Sequence, residues 1–159
     1  LRPSMKITDI LTQQMTQCGI AGGSKKRVLE NLSEFITEQL GGDGDQAENL
    51  FHSLVARERL GSTGIGEGVA IPHCRVAGFN RIHGCLIKLE DPVDFGSLAD
   101  QPVDLIFALS VPQEQNEEHL ATLARVASIM QDDSSRARLR QCSSSEELFN
   151  TALKLERAA

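Results

Sequence analysis

Two apolar segments set between amphipathic helices most constrain how this chain can fold. Residues 82–89 (IHGCLIKL) and 103–109 (VDLIFAL) have the length and apolar content of buried strands. Helical periodicity precedes these segments and resumes after Pro112. Buried strands between helical blocks predict an α/β protein, a layered sandwich with a mixed β-sheet.

Capping residues and apolar periodicity set the expected helix positions. The first helix is expected from the N-cap Ser24 to Gly41-Gly42, and the second from Asp45, which has capping-box spacing to Glu48, to Leu60-Gly61. After the strands, a long helix is expected from about Glu114 and a short one at residues 134–140. The last helix is expected to begin at a capping box of Ser144 and Glu147. The expected order is therefore helices, then strands, then helices. No domain boundary is apparent, so residues 1–159 predict a single domain, with residues 1–6 as a flexible terminus.

Composition narrows the class of protein. Apolar residues make up 40% of the 159 residues and charged residues 24%, which is typical of a soluble globular chain. A net charge of −6 and the absence of Trp and Tyr argue against nucleic acid or an anionic membrane as a partner. No apolar run approaches the roughly 20 residues needed for membrane insertion. With no signal peptide and no CxxC pair among its four cysteines, the chain is expected to be cytoplasmic with reduced thiols.

A glycine-rich loop carries the chemistry that the sequence suggests. Residues 61–73 read GSTGIGEGVAIPH. Its glycines allow positive φ angles and close approach of a ligand, and successive backbone N–H groups can bind an anion. We therefore predict a phosphate-binding loop, whose members would be Ser62, Thr63, Gly64, Gly66 and Gly68. Pro72 stiffens the chain immediately before His73.

His73 is the candidate nucleophile. A neutral imidazole is nucleophilic, and its ordinary pKa of about 6.5 leaves much of it neutral at cellular pH. Phosphoryl transfer needs mainly positioning and charge stabilisation. Arg57 and His119 are of the residue types that can pair with phosphate oxygens and donate a hydrogen bond to the same group.

Other interpretations of the loop are weaker. A nucleotide P-loop requires Lys and Ser/Thr after its last glycines, where this chain has Glu67-Gly68. A dinucleotide fingerprint requires a glycine turn between a strand and a helix, whereas this loop follows a helix and leads into an extended segment. The residues also predict no cofactor.

A zinc site is the alternative that the His and Cys residues leave open. Its ligands would be His73, Cys74, His83 and Cys85. Adjacent His-Cys is poor ligand spacing, so we predict no metal. The acidic run 114–118 is better explained as favourable charge at a helix N-terminus.

Two long stretches of the chain resemble a known family. The segments ARERLGSTGIGEGVAIPHCR and LEDPVDFGSLADQPVDLIFALSVP, with the His119 helix, resemble the IIA proteins of the phosphoenolpyruvate-dependent sugar phosphotransferase system, of the fructose–mannitol type. The resemblance runs from about Ile7 to Leu155. The early SKKRVLENLS segment and the single-domain length are most similar to the nitrogen-regulatory members.

This resemblance implies a fold, a chemistry and partners. The fold would be a three-layer α/β/α sandwich. His73 would be phosphorylated through Nε2, with Arg57 as the active-site arginine and His119 as the second active-site histidine. The donor would be an HPr-like phosphocarrier protein, so the chain would be a phosphotransferase with no small-molecule turnover of its own. Its targets would be regulatory, with potassium transport or a sensor kinase among them.

One residue departs from the family pattern, and two other functions stay open. Cys74 follows His73 where the family commonly has Gly, which introduces either a narrower access or a redox-sensitive thiol. The first alternative function is a sugar-transport IIA component that donates to a IIB domain. The second is a protein-interaction module without catalysis.

Overall fold

The computed structural model describes residues 6–96, 101–114 and 117–158. Within them the helices are α1 (Ile7–Ile10), α2 (Lys25–Gln39), α3 (Gly44–Arg59), α4 (Glu117–Met130), α5 (Asp133–Arg140) and α6 (Ser145–Ala158). The strands are β1 (Thr16–Ile20), β2 (Gly64–Gly66), β3 (Val69–Ala70), β4 (His73–Val76), β5 (His83–Val93) and β6 (Val103–Pro112). The prediction of a flexible terminus falls mostly on residues 1–5, which lie outside these ranges.

The strands form one mixed sheet in the order β1-β5-β6-β3-β2. β5 and β6 are antiparallel, whereas β1 runs parallel to β5. β3 and β4 both lie parallel to β6, one after the other along the same edge. The predicted α/β class with a mixed sheet is confirmed.

Helices cover both faces of this sheet. Leu86 of β5 and Phe107 of β6 share a small cavity with residues of α1, α4, α5 and α6. Ile87 and Leu89 point to the opposite face, where they meet α2. The core therefore lies in two layers on either side of the sheet, and the three-layer arrangement is confirmed. In the described part of the chain, every helix is too short or too polar to cross a membrane.

The predicted cap of α3 is wrong by two residues. Asp43 is the N-cap: its carboxylate accepts a hydrogen bond from the Gln46 N–H at 3.0 Å. The Gln46 side chain accepts the Asp43 N–H in return, at 2.9 Å. Asp45 instead lies in the first turn of the helix. Two motifs with the same spacing overlap here, and Gln46 completes the one that starts earlier.

The predicted order of elements is also incomplete. β1, with the sequence TQCGI, precedes the first long helix and adds a parallel edge strand. Three further short strands lie where a loop was expected. The other caps agree with prediction, since Ser24 Oγ accepts the Arg27 N–H and Ser144 Oγ accepts the Glu147 N–H, each at 3.1 Å.

Candidate functional site

The last turn of α3 brings Arg57 against His73. Its Nε–H donates to His73 Nε2 at 3.3 Å, and its Nη1 donates to the Gly61 carbonyl at 2.9 Å. The second bond holds the segment immediately after α3 against the guanidinium group. Two of the predicted site residues, 16 positions apart in sequence, are therefore in direct contact.

The hydrogen bonds of His73 define its tautomer. His73 Nδ1 lies 2.9 Å from the Ile71 carbonyl oxygen, which can only accept a hydrogen bond. Nδ1 therefore carries the proton and Nε2 carries the free lone pair. Arg57, which only donates, faces Nε2, as this assignment requires. The nucleophilic nitrogen thus points at the cation.

Strand pairing sets the direction of His73. His73 pairs with Leu109 in the parallel β4–β6 ladder, and the Pro72 carbonyl accepts the Leu109 N–H at 2.9 Å. Paired residues share a face of a sheet, so His73 lies on the face of Leu109 and Phe107. This is the face that α4 covers.

His119 lies on that same side of the sheet. It is buried in the first turn of α4, with 8% of its surface exposed. It lines a cavity of about 590 Å³ together with Pro112 and residues 78–82. Because β4 and β6 are parallel and both end at this cavity, His119 stands at the end of the sheet toward which the His73 strand runs.

The glycine-rich loop is a β-hairpin. β2 and β3 are antiparallel and are joined by Glu67 and Gly68, with φ angles of 56° and 78°. Two positive φ values in a two-residue connection define a type I′ turn. Residues with a Cβ rarely adopt the φ angle of Gly68, and a Cβ there would also displace the Arg140 Nη2 atom, which would lie 2.5 Å away, so glycine is favoured. The geometry of the hairpin therefore accounts for the glycine at this turn.

This hairpin moves part of the predicted phosphate loop away from His73. The Gly68 carbonyl accepts the Leu105 N–H, four register positions before Leu109, the partner of His73. Four residues of strand span about 13 Å. The turn that contains Gly68 therefore points toward the other end of β6, and the phosphate-binding role of Gly66 and Gly68 stays a prediction.

The start of the loop stays close to the site, and its polar groups are already bonded. The Ser62 hydroxyl donates to the Phe95 carbonyl at 2.9 Å and accepts the Gly64 N–H at 3.1 Å. The expected phosphate donors at Ser62 and Gly64 are thus committed to the loop itself. Thr63 is buried, and its N–H donates to Glu58 Oε1 at 3.1 Å. Its hydroxyl oxygen has no hydrogen-bond partner among the described residues.

Comparison with known proteins agrees with this architecture. A family model described as "Phosphoenolpyruvate-dependent sugar phosphotransferase system, EIIA 2" matches residues 9–154. The chain belongs to this family. Its members are phosphocarriers of the phosphotransferase type.

The similar proteins point to one branch of the EIIA 2 family. A nitrogen regulatory protein of Pseudomonas aeruginosa is 40% identical over 152 residues, covering 96% of this chain and 97% of the relative. One of Escherichia coli K12 is 39% identical over 147 residues, covering 92% and 88%. The crystal structure of nitrogen regulatory protein IIA-Ntr from Neisseria meningitidis superposes with a TM-score of 0.81 at 36% identity, covering 92% and 98%. This EIIA 2 protein is therefore similar to the nitrogen regulatory members.

The Cys74 thiol beside His73 is chemically quiet. Cys74 is buried, and burial raises the pKa of its thiol to about 12. Burial likewise raises the pKa of the Cys85 thiol. A protonated thiol is a poor nucleophile, so the expected redox-sensitive thiol is not supported. All four cysteines are free, as expected, and the described residues contain no group of three His, Cys, Asp or Glu side chains that could hold a metal.

The sequence interpretation missed Glu58 and Lys25. Glu58 is buried immediately after Arg57, and its carboxylate lies 3.0 Å from Lys25 Nζ. One signal was available: Glu58 follows Leu50 and Leu54 at four-residue spacing, so a charged residue occupies the apolar stripe of α3.

Proposed function

We propose that this EIIA 2 protein is a phosphocarrier of the nitrogen-related phosphotransferase system. It accepts a phosphoryl group on Nε2 of His73 from a phosphorylated HPr-like protein. It then acts as a regulator of transport or transcription through protein targets. The observation that carries this proposal is the unprotonated Nε2 of His73, whose lone pair accepts the Arg57 Nε–H at 3.3 Å.

The transfer needs one exchange of bonds. The Nε2–P bond of His73 forms as the donor's P–N bond breaks, and the donor imidazole leaves with that electron pair. Arg57 releases the lone pair and binds the phosphoryl oxygens, matching their developing charge. The Nδ1–H bond to Ile71 stabilises the positive charge that the ring acquires. His119, on the same side of the sheet, is proposed to donate a hydrogen bond to the phosphoryl group.

Exposed apolar residues support a protein as the partner. Leu60 is 85% exposed three residues after Arg57, and Leu120 is 55% exposed directly after His119. Large apolar side chains in such positions favour protein interfaces. Each follows a proposed site residue closely in the sequence, so both support a protein surface next to these residues.

Phosphorylation by the complete donor chain tests the proposal. The protein is incubated with phosphoenolpyruvate, the first enzyme of the chain and an HPr-like protein, then examined by intact mass spectrometry. We expect one acid-labile, base-stable phosphoryl group in the wild type and in His52→Ala, whose histidine is exposed on α3. His73→Ala should gain none. Equal labelling of His73→Ala and wild type would refute the assignment.

The same labelled protein separates the alternative functions. Transfer onward to a purified IIB domain, and then to fructose or mannitol, would reassign the protein to sugar transport. Absence of labelling with an active donor, together with retained binding to that donor, would make it a non-catalytic interaction module.

A further inference from the structure

A buried carboxylate adjoins the proposed site without touching His73. Glu58 is 8% exposed and directly follows Arg57 in the last turn of α3. Successive residues of a helix point about 100° apart, so Arg57 can reach His73 while Glu58 points into the protein. A buried charge must be paired, and the partners of Glu58 show what it connects.

Glu58 joins three segments of the chain. Its Oε1 lies 3.0 Å from Lys25 Nζ, at the start of α2, and accepts the Thr63 N–H at 3.1 Å. Lys25 Nζ also donates to the Phe95 carbonyl at 3.0 Å and lies 5.0 Å from the centroid of the Phe95 ring. The Ser62 hydroxyl donates to the same carbonyl. The Lys25–Glu58 pair thus fixes the loop that follows Arg57.

From Thr63 the hydrogen bonds continue to the imidazole. The Thr63 carbonyl accepts the Ile71 N–H at 3.0 Å, and the Ile71 carbonyl accepts the proton on His73 Nδ1 at 2.9 Å. One carboxylate therefore anchors both halves of the site. It holds the helix turn that carries Arg57, and it holds the segment between β3 and β4 whose carbonyl selects the tautomer of His73.

We propose that Glu58, held by Lys25, is a positioning residue for His73. It keeps the Ile71 carbonyl where it binds Nδ1–H, so that Nε2 remains unprotonated and directed at Arg57. The effect on phosphoryl transfer rests on the proposed function. The effect on the tautomer does not, because it is a property of the unphosphorylated protein.

Three substitutions and one control substitution test the Lys25–Glu58 pair. Glu58→Gln keeps the size of the side chain but removes its charge, and Lys25→Met removes the ammonium group. Lys26→Met is the matched control, because Lys26 is the exposed neighbour of Lys25 and makes no ion pair among the described residues. Lys25→Arg keeps the cation and should restore the wild-type behaviour. Circular dichroism checks that each variant folds, because Lys25→Met leaves the buried Glu58 carboxylate without its cation.

The first measurement is the tautomer of His73 by ¹⁵N NMR of the imidazole at a pH where the ring is neutral. We expect the Nδ1–H form to dominate in the wild type, Lys26→Met and Lys25→Arg. We expect a mixture of both tautomers in Glu58→Gln and Lys25→Met. If Glu58 and Lys25 affected only stability, the tautomer would be unchanged in these variants. The NMR measurement needs no phosphoryl donor.

The second measurement is the rate of phosphoryl transfer against donor concentration. Misplacing a reacting group lowers the maximum rate, so Glu58→Gln and Lys25→Met should lose about tenfold or more in kcat. Their KM for the donor should change little, because Glu58 is buried and most of the Lys25 side chain is covered, so neither offers much surface to a docked protein.

The outcomes are distinguishable. Wild-type tautomer and wild-type kcat in both variants would overturn the positioning role. If Glu58→Gln does not fold, as judged by circular dichroism, Lys25→Met decides by the same criteria. If the wild type accepts no phosphoryl group at all, the proposed function fails, and the tautomer measurement still decides this inference.

Discussion

The chemistry at the scale of single residues depends on which nitrogen of His73 holds the proton. Nδ1–H donates a hydrogen bond to the Ile71 carbonyl, which leaves Nε2 unprotonated and facing Arg57. The resting contact between Arg57 and Nε2 is also a barrier, because the guanidinium must leave the lone pair before a phosphorus atom can approach. In the proposed transfer, Arg57 moves from the nitrogen to the phosphoryl oxygens, a short shift for a planar group with five donors.

Arg57→Lys tests this dual role. Lysine keeps the charge but loses the planar set of donors, so it cannot hold Gly61 and a phosphoryl group together. We expect the rate of phosphoryl transfer to fall about 100-fold, as when a pre-organised donor is lost. Rapid-quench kinetics measures it, with the exposed Arg59→Lys as control. A wild-type rate in Arg57→Lys would contradict the proposed role.

Cys74 should be inert in the folded protein. Because burial raises the pKa of its thiol from 9.0 to about 12, almost no thiolate is present at pH 8. We expect iodoacetamide at pH 8 to leave Cys74 unmodified in the native state and to modify it after unfolding in urea. Peptide mass spectrometry reports the site. Rapid modification of Cys74 in the native state would show that the residue is accessible and ionised.

Among secondary-structure elements, those with a strong local signal were predictable. α2 carries both a cap and apolar periodicity, and β6 is largely apolar, so each was placed within a few residues. β1 has mostly polar or small residues in TQCGI and becomes a strand only by pairing with β5. β2 and β3 are two or three residues long and depend on a turn whose direction no local pattern indicates.

The corrected cap of α3 gives a direct stability test. Asp43→Ala removes the carboxylate that accepts the Gln46 N–H, and loss of such a cap costs about 1 kcal/mol in free energy of unfolding. Asp45→Ala is the matched control and should cost less, because Asp45 contributes only charge in the first turn. Urea denaturation measures both. A larger loss in Asp45→Ala would restore the cap first expected from the sequence.

The whole molecule assembles the site from distant parts of the chain. α3 supplies Arg57, β4 supplies His73, and α4 supplies His119 on the same side of the sheet. The loop motif indicated His73, and a family resemblance supported Arg57 and His119, but the position of His73 follows from the parallel pairing of β4 with β6. That pairing joins residues more than 30 positions apart, and the Lys25–Glu58 pair is equally non-local. Local sequence patterns carry no signal for either.

The position of the phosphoryl group on the imidazole tests the central claim most directly. The protein is phosphorylated by its donor chain with ¹⁵N-labelled histidine, and the N–P coupling identifies the bonded nitrogen. We predict phosphorus on Nε2 of His73, with Nδ1 still protonated and bonded to Ile71. Phosphorus on Nδ1, or on any other residue, would contradict the account.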